Sequence, residues 1–347
     1  MERAAYSEAI SDLVSTRRGA AMFLRNLAAD GICGSRTRQH WAAKWTNIGD
    51  AHQLRSDLTF KMGPCDQAAE DGLCALTAFE VARRLIDEES PNSQDISAKV
   101  EAIARQLVSF RGRKIERLQI ACCEPSDFSA YYWSARESDL RTPAVICISK
   151  EGETAATLLG RLLPVVIGRG LSILTVSHDH VSHCPHCKST FMLSCCLDYL
   201  SERPDIDARQ IGVYGEGLSA ATATELAASD RRVTAAVCDA GLWNWVRLLA
   251  SVEWMTKAAD VIDSDVGSTR RSLLLRQLRC PALVVAGGSG IVSVEEAATL
   301  KAECMTRHVD LEVIIPQMIR TRSGDIENFV TCDEDVFKWL ELKLAHG

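Results

Sequence analysis

The stretch Ile211-Gly212-Val213-Tyr214-Gly215-Glu216-Gly217-Leu218-Ser219-Ala220-Ala221 decides the fold of this chain. An apolar strand, Gln210–Tyr214, enters a glycine-rich corner, and a helix of small residues, Ala220–Ala228, leaves it. A sharp strand-to-helix corner of the form G-x-S-x-G presents a nucleophilic Ser above a sheet. Here Gly217 occupies the central position, and Ser219 follows two residues later. We therefore predict that the corner keeps its shape while its usual nucleophile is missing.

The composition excludes several classes of function. The 347 residues are 47% hydrophobic and carry a net charge of −7, which indicates a globular chain without the basic surface that nucleic-acid binding requires. No apolar run reaches the roughly 18 residues of a membrane span, and the N-terminus lacks the pattern of a signal peptide. We expect a cytoplasmic protein whose 14 Cys are mostly reduced and buried.

The first third of the chain is predicted to be helical. Residues 1–114 place apolar side chains at helical spacing, as in Ala69–Glu88 and Ile96–Phe110. These helices form either a structural bundle or a cap over an active site. The core, residues 115–347, begins with a predicted antiparallel pair of strands at Ile115–Cys122 and Ala130–Ser134.

Strands and helices alternate through the rest of the core, which predicts a mostly parallel sheet with helices on both faces. Besides Gln210–Tyr214, the predicted strands are Ala144–Ile148, Leu171–Ser177, Val233–Cys238, Ala282–Ala286 and Leu311–Ile315. The predicted helices are Thr154–Gly168, Thr190–Arg203, Ala220–Ala228, Ser293–Arg307 and Asp333–Leu344, with a helical excursion at about 243–278. Such sheets bind ligands beyond the carboxyl ends of their strands.

Several segments resemble a known family. They are the helical region with Trp41 and Trp45, the stretch Ser149-Lys150-Glu151, the lead-in Arg203-Pro204-Asp205-Ile206-Asp207, and Cys280-Pro281-Ala282-Leu283-Val284-Val285. From about residue 40 to its end, the chain resembles the capped α/β-hydrolases related to the fermentation–respiration switch protein and dihydroxypseudooxynicotine hydrolase. The resemblance implies an α/β-hydrolase fold with an N-terminal helical cap, and a homodimer.

The sequence departs from that family at each position of the Ser-His-Asp triad. Gly217 replaces the Ser, Gly287-Gly288-Ser289-Gly290 offers no carboxylate where the acid usually lies, and no His occurs from Pro316 to Leu344. We therefore predict a non-hydrolytic enzyme: a lyase, cyclase, dehydratase or isomerase that acts on a small polar or aromatic molecule, in a setting such as specialised biosynthesis. One alternative is a hydrolase of ester or C–C bonds that uses Ser219. Another is an inactive binding or scaffold protein.

A second unusual stretch follows the strand Leu171–Ser177: His178-Asp179-His180-Val181-Ser182-His183-Cys184-Pro185-His186-Cys187. Three chemical interpretations and one structural interpretation fit it. His178, Asp179 and His180 could serve as general acids or bases. Zn²⁺ could bind to His183, Cys184, His186 and Cys187. No other cofactor is expected. The C-x-x-C pair could be redox-active, although a thioredoxin-like context is missing. Otherwise the loop is an ordinary polar surface segment.

Other residues near the corner complete the candidate site. Glu216 is either a general base or a solvated turn residue, and Asp239 either projects into the cleft or caps the next helix. Backbone amides at the corner and near Ser149 could hold an oxyanion. The candidate catalytic residues are His178, Asp179, His180, Glu216, Ser219 and Asp239. The candidate substrate-binding residues are Ser149, Lys150, Gly217, Leu218, Trp243 and Trp245, the last two by stacking on a flat ligand.

Overall fold

The computed structural model describes residues 2–27, 35–63, 66–86, 91–107, 115–123, 126–135, 141–182, 188–239, 277–286, 294–306, 308–321 and 324–345. The predicted helical excursion at about 243–278 lies almost wholly outside the described residues, as do Trp243 and Trp245. Among the described residues, no helix is long and apolar enough to cross a membrane.

Four helices precede the sheet, in agreement with the apolar spacing of the sequence. They are α1 (Glu2–Asn26), α2 (Ser35–Met62), α3 (Asp66–Arg84) and α4 (Pro91–Leu107). Helix α3 is buried along almost its whole length, from Ala68 to Ala82, and packs against the other three helices. A helix that is buried on all sides can hold charged side chains only where groups of opposite charge pair with them. Helix α3 does so at its C-terminal end, with Glu80, Arg83 and Arg84.

Within the described ranges, eight strands form one sheet in the order β1-β2-β4-β3-β5-β6-β7-β8. The predicted pair β1–β2 is antiparallel, β2 pairs antiparallel with β4, and all remaining pairs are parallel. The strands are β1 (Ile115–Cys123), β2 (Ser126–Trp133), β3 (Thr142–Ile148), β4 (Ser172–Val176), β5 (Ile206–Glu216), β6 (Val233–Asp239), β7 (Ala282–Val285) and β8 (Leu311–Ile314).

Helices cover both faces of the sheet. Side chains alternate between two buried clusters, with Val145 and Tyr214 in one and Ile146 and Val213 in the other, because successive strand residues point to opposite faces. The described helices of this part are α5 (Ala155–Val166), α6 (His178–Ser182), α7 (Ser189–Glu202), α8 (Ser219–Ser229), α9 (Val294–Thr306) and α10 (Phe329–Ala345).

Several element boundaries differ from the sequence prediction, and one pair of strands was not predicted. A separate antiparallel hairpin, β9 (Met318–Thr321) and β10 (Gly324–Glu327), precedes α10, and its short polar strands lack an apolar alternation that could have indicated them. Strand β5 continues two residues beyond its predicted end, because Gly215 and Glu216 still pair with Cys238 and Asp239 on β6.

Candidate active site at the carboxyl edge of the sheet

The corner after β5 has the shape of a nucleophile elbow with a glycine at its tip. Strand β5 ends at Glu216, Gly217 has a φ of +61°, and α8 begins at Ser219. A Cβ atom at Gly215 would collide with the carbonyl group of Ser219, so the helix can follow the strand this closely only over a glycine. In this geometry Gly217 lies at the tip of the elbow, and Ser219 lies at the first residue of α8.

The carboxylate of Glu151 fills the space above the tip. A Cβ atom built on Gly217 would lie 2.6 Å from Oε2 of Glu151 and 3.4 Å from Cβ of Lys150. The backbone N–H of Leu218 donates to Oε1 of Glu151 at 2.8 Å. Glu151 thus stands where the side chain of an elbow nucleophile would begin, and it accepts a hydrogen bond from the residue that follows the tip.

The two elbow amides already have acceptors within the protein. The N–H of Gly217 donates to the carbonyl oxygen of Asp239 at 2.9 Å, and that of Leu218 donates to Glu151. The amide of the residue after the tip is the usual oxyanion donor of such an elbow. In this structure Leu218 orients a carboxylate of the protein, which differs from the predicted oxyanion role of Gly217 and Leu218.

Ser219, His178 and Ser149 form a buried polar knot below the elbow. Oγ of Ser219 lies 2.7 Å from Nδ1 of His178 and 2.7 Å from the carbonyl oxygen of Ser149. The backbone N–H of His178 donates to Oγ of Ser149 at 3.1 Å. A carbonyl oxygen can only accept a hydrogen bond, so the hydroxyl of Ser219 donates to the carbonyl oxygen of Ser149. We therefore assign a proton to Nδ1 of His178, and this N–H donates to Oγ of Ser219.

This proton arrangement is the reverse of a nucleophile and its base, in which the hydroxyl donates to the imidazole. Ser219 is also 0% exposed, and His178 is 6% exposed. The side chain of Ser219 does not cap α8, since its hydroxyl bonds to the loop after β3 instead. The knot joins the ends of β3, β4 and the elbow.

The structure separates the other residues of the His/Cys stretch. His178–Ser182 form the single helical turn α6 in place of the predicted loop, and Asp179 and His180 on it are exposed while His178 is buried. The proposed zinc ligands His183, Cys184, His186 and Cys187 lie outside the described residues, as do 287–290. Within the part of the chain that the structure describes, no group of three or more His, Cys, Asp or Glu is arranged to hold a metal ion.

A cluster of buried charges lies behind the elbow, with Arg161 of α5 at its centre. Arg161 pairs with Glu216, donates to Oη of Tyr214 at 3.2 Å, and bonds to Asp333 of α10 at 3.3 Å. The hydroxyl of Tyr214 donates to Oδ2 of Asp239 at 3.0 Å. Glu216 and Asp239, which the sequence singled out separately, are neighbours across the β5–β6 pair.

Helix α3 extends this cluster from the N-terminal region. Arg83 bonds to Glu80 at 2.8 Å and to Glu153 at 2.9 Å, while Arg84 bonds to Glu80 at 2.8 Å and lies 3.9 Å from Glu216. The cluster as described thus contains more carboxyl groups than guanidinium groups. Some of the acids must therefore hold a proton, because an unpaired buried charge is costly.

The environment shifts the pKa values of the acids in different directions. Burial raises the pKa of Asp239 well above its usual range, and the charges of Glu327 and Glu216 raise it further. Burial would also raise the pKa of Glu216, but the charges of Arg161 and Arg84 lower it overall. Burial raises the pKa of Asp333 to about 6. The surroundings therefore shift the pKa values of Asp239 and Glu216, neighbours at the edge of the sheet, in opposite directions.

The sequence interpretation missed Glu151, Tyr214, Arg161 and Asp333. Glu151 carried a usable signal, because it follows β3 by three residues and the carboxyl ends of parallel strands meet at one edge. The buried charges gave no signal of their own, since a charged residue on a helix usually indicates a solvated face.

The strand order, the parallel centre and the elbow after β5 together decide the architecture. The chain has the α/β-hydrolase fold. Solved structures agree: the 2,6-dihydroxy-pseudo-oxynicotine hydrolase has a TM-score of 0.61 at 17% identity, over 94% of this chain and 96% of its own.

An acylaminoacyl peptidase bound to a chloromethyl ketone has a TM-score of 0.51 at 12% identity, over 69% of this chain and 43% of its own. The uncomplexed acylaminoacyl peptidase of Pyrococcus horikoshii has a TM-score of 0.50 with the same identity and coverage. This chain thus spans less than half of the length of these peptidases. No protein-family model and no curated protein matches the sequence. At these identities the likeness shows the fold alone.

The contact between Gly217 and Glu151 can be tested by a pair of glycine substitutions. Gly152 also has a positive φ, of +71°, but nothing lies within 4 Å of the Cβ position there. We expect Gly152→Ala to cost about 1 kcal/mol through the backbone conformation alone. Gly217→Ala should cost roughly 1 kcal/mol more, because the new methyl group displaces Glu151 from Leu218. Urea denaturation measures both losses of stability. In a Glu151→Ala background, Gly217→Ala should cost no more stability than Gly152→Ala. Equal costs in the unmodified chain would contradict the contact.

The raised pKa of Asp333 predicts a dependence of stability on pH. Its folded pKa of about 6 lies above the unfolded value of about 3.9, so its contribution is complete below pH 4 and is lost as the pH rises through 6. The stability of the wild type relative to Asp333→Asn should therefore fall by on the order of 2 kcal/mol between pH 4 and pH 7, as measured by urea denaturation. Asp335→Asn, an exposed position of the same helix, is the control and should show no such trend.

Proposed function

We propose that this protein is an enzyme that moves protons at the elbow, with Glu151 as the base and Asp239 as the acid. The observation that carries the proposal is the carboxylate of Glu151 above Gly217, oriented by the N–H of Leu218. A general base needs a fixed position and access to the substrate. The first is supported by the hydrogen bond from Leu218, and the second by the exposure of Glu151 to solvent.

Asp239 supplies the complementary group. It flanks the same glycine, since its carbonyl oxygen accepts from Gly217, and burial raises the pKa of its side chain, which favours the protonated form that an acid requires. Tyr214 donates to Oδ2 of Asp239 and so orients the carboxyl group.

Such a pair suits reactions that need no attacking Ser. Glu151 removes a proton from carbon or oxygen, and Asp239 protonates the leaving group or the new carbanion site. The reaction class is that of a lyase, dehydratase, cyclase or isomerase, and the substrate is a small polar or aromatic molecule. An absent elbow nucleophile is consistent with this class, because nucleophilic catalysis requires a reactive group with a base within reach.

Deuterium exchange tests this assignment through the proton transfer itself, whatever product the enzyme forms. The purified protein is incubated in D₂O with a panel of polar and aromatic carbonyl compounds, and exchange at the carbon next to the carbonyl is followed by NMR. We expect exchange with at least one compound and a loss of about 10²–10⁴-fold in rate for Glu151→Gln. Glu202→Gln, an exposed carboxylate at the end of α7, is the matched control. Equal exchange rates in the wild type and Glu151→Gln would contradict the role of Glu151.

A second candidate function is hydrolysis with Ser219 as the nucleophile. Two observations favour it: the structural neighbours are hydrolases, and Oγ of Ser219 lies 2.7 Å from Nδ1 of His178. It requires Ser219 to give up its bond to Ser149 and to become accessible from its fully buried position.

A fluorophosphonate probe separates the two candidates. Under the proton-transfer proposal the wild type stays unlabelled, because a buried Ser that donates to a carbonyl is not nucleophilic. Labelling that disappears in Ser219→Ala and persists in Ser229→Ala, at the far end of the same helix, would establish the hydrolase instead. Labelling is read by intact-protein mass spectrometry.

The remaining sequence predictions stay part of this proposal. They are Zn²⁺ at His183, Cys184, His186 and Cys187, the assembly as a homodimer, and the cytoplasmic location. The binding or scaffold alternative predicts a bound small molecule without deuterium exchange or labelling.

A further inference from the structure

Two cysteines lie within reach of each other, away from the candidate active site. Cys122 on β1 and Cys195 on α7 carry reduced thiols whose Sγ atoms are 2.8 Å apart. Both side chains are half-buried and pack at the margin of the apolar cluster between α7 and the sheet. A disulfide has a bond length of about 2.05 Å, so the two sulfur atoms need to approach by less than about 1 Å.

We propose that Cys122 and Cys195 form a reversible disulfide that links the edge strand β1 to α7. The co-reactant is a low-molecular-weight disulfide such as oxidised glutathione. One thiol loses its proton to solvent, and its thiolate attacks a sulfur of this disulfide and releases one small thiolate. The second protein thiolate then attacks the mixed disulfide and releases the other. In total the protein loses two protons and two electrons, and the small disulfide takes them up to become two thiols.

The surroundings distinguish this pair from the other described cysteines. Cys196, next to Cys195, is 0% exposed, as are Cys147 and Cys238. Burial raises the pKa of all three thiols, which disfavours the reactive thiolate. Partial exposure and a partner within reach are thus combined at Cys122 and Cys195.

A disulfide at this position closes a loop between residues 73 apart in the sequence. Cross-links of such loops stabilise chiefly by restricting the unfolded chain, and the effect grows with loop length. The oxidised protein should therefore unfold at a higher temperature than the reduced protein. The proposal is independent of the proposed function, because neither cysteine belongs to the elbow, the knot or the charge cluster.

Peptide mapping tests the link. The full chain is treated with oxidised glutathione under native conditions, alkylated without reduction, digested, and analysed by mass spectrometry. Cys122 is adjacent to Cys123, and Cys195 is adjacent to Cys196, so the variants Cys123→Ser and Cys196→Ser are needed to fix the connectivity. We expect the linked peptide in the wild type and in both of these variants, and its loss in Cys122→Ser and in Cys195→Ser.

The melting temperature provides the second measurement. Oxidation should raise it in the wild type, dithiothreitol should reverse the rise, and Cys195→Ser should show no rise. The proposal is overturned if the linked peptide is absent from the oxidised wild type, whether or not the two thiols carry glutathione. It is also overturned if the link persists in Cys195→Ser through Cys196.

Discussion

The arrangement of the candidate site depends on the bonds that the buried guanidinium group of Arg161 makes. This group is almost fully buried and bonds to groups from two other elements, Glu216 and Tyr214 on β5 and Asp333 on α10, while Arg161 itself belongs to α5. A buried cation without partners would destabilise the fold by several kcal/mol, so these elements are held where the partners can reach. Burial, together with the charges of Glu327 and Glu216, raises the pKa of Asp239 nearby. A constraint of packing thus also determines the chemistry available at the sheet edge.

The elbow after β5 keeps the geometry of its fold with a glycine at its tip. The N-terminus of a helix leaves backbone N–H groups without partners inside the helix, and these groups attract negative charge. In this chain the carboxylate of Glu151 provides that charge, from a loop on the neighbouring strand. The absence of a side chain at Gly217 leaves room for it, because a Cβ atom there would lie 2.6 Å from Oε2 of Glu151. Fold similarity to hydrolases is therefore compatible with a different source of the reacting group.

The sequence predicted most of the fold because apolar periodicity reports burial directly. The parallel strands, the antiparallel pair β1–β2, the helices before the sheet and the corner at Gly217 all follow from short-range patterns. The site was predicted less well. Glu151 meets Leu218 across 67 positions of sequence, and no local pattern indicates such a contact. The sequence singled out both His178 and Ser219, but only the structure shows that they bond to each other below the surface.

The charges at the C-terminal end of α3 bear on whether the helical region and the α/β core can fold separately. Arg83 and Arg84 come from the N-terminal helices, yet they neutralise Glu153 and Glu216 at the edge of the sheet. A fragment that began at β1 would keep both acids and Arg161 but lose Arg83 and Arg84, so Glu153 would lose the cation to which it bonds. We therefore expect the helical region and the α/β core to fold as one cooperative unit. In evolutionary terms, such a helical region cannot be exchanged between relatives unless the acids beneath it change as well.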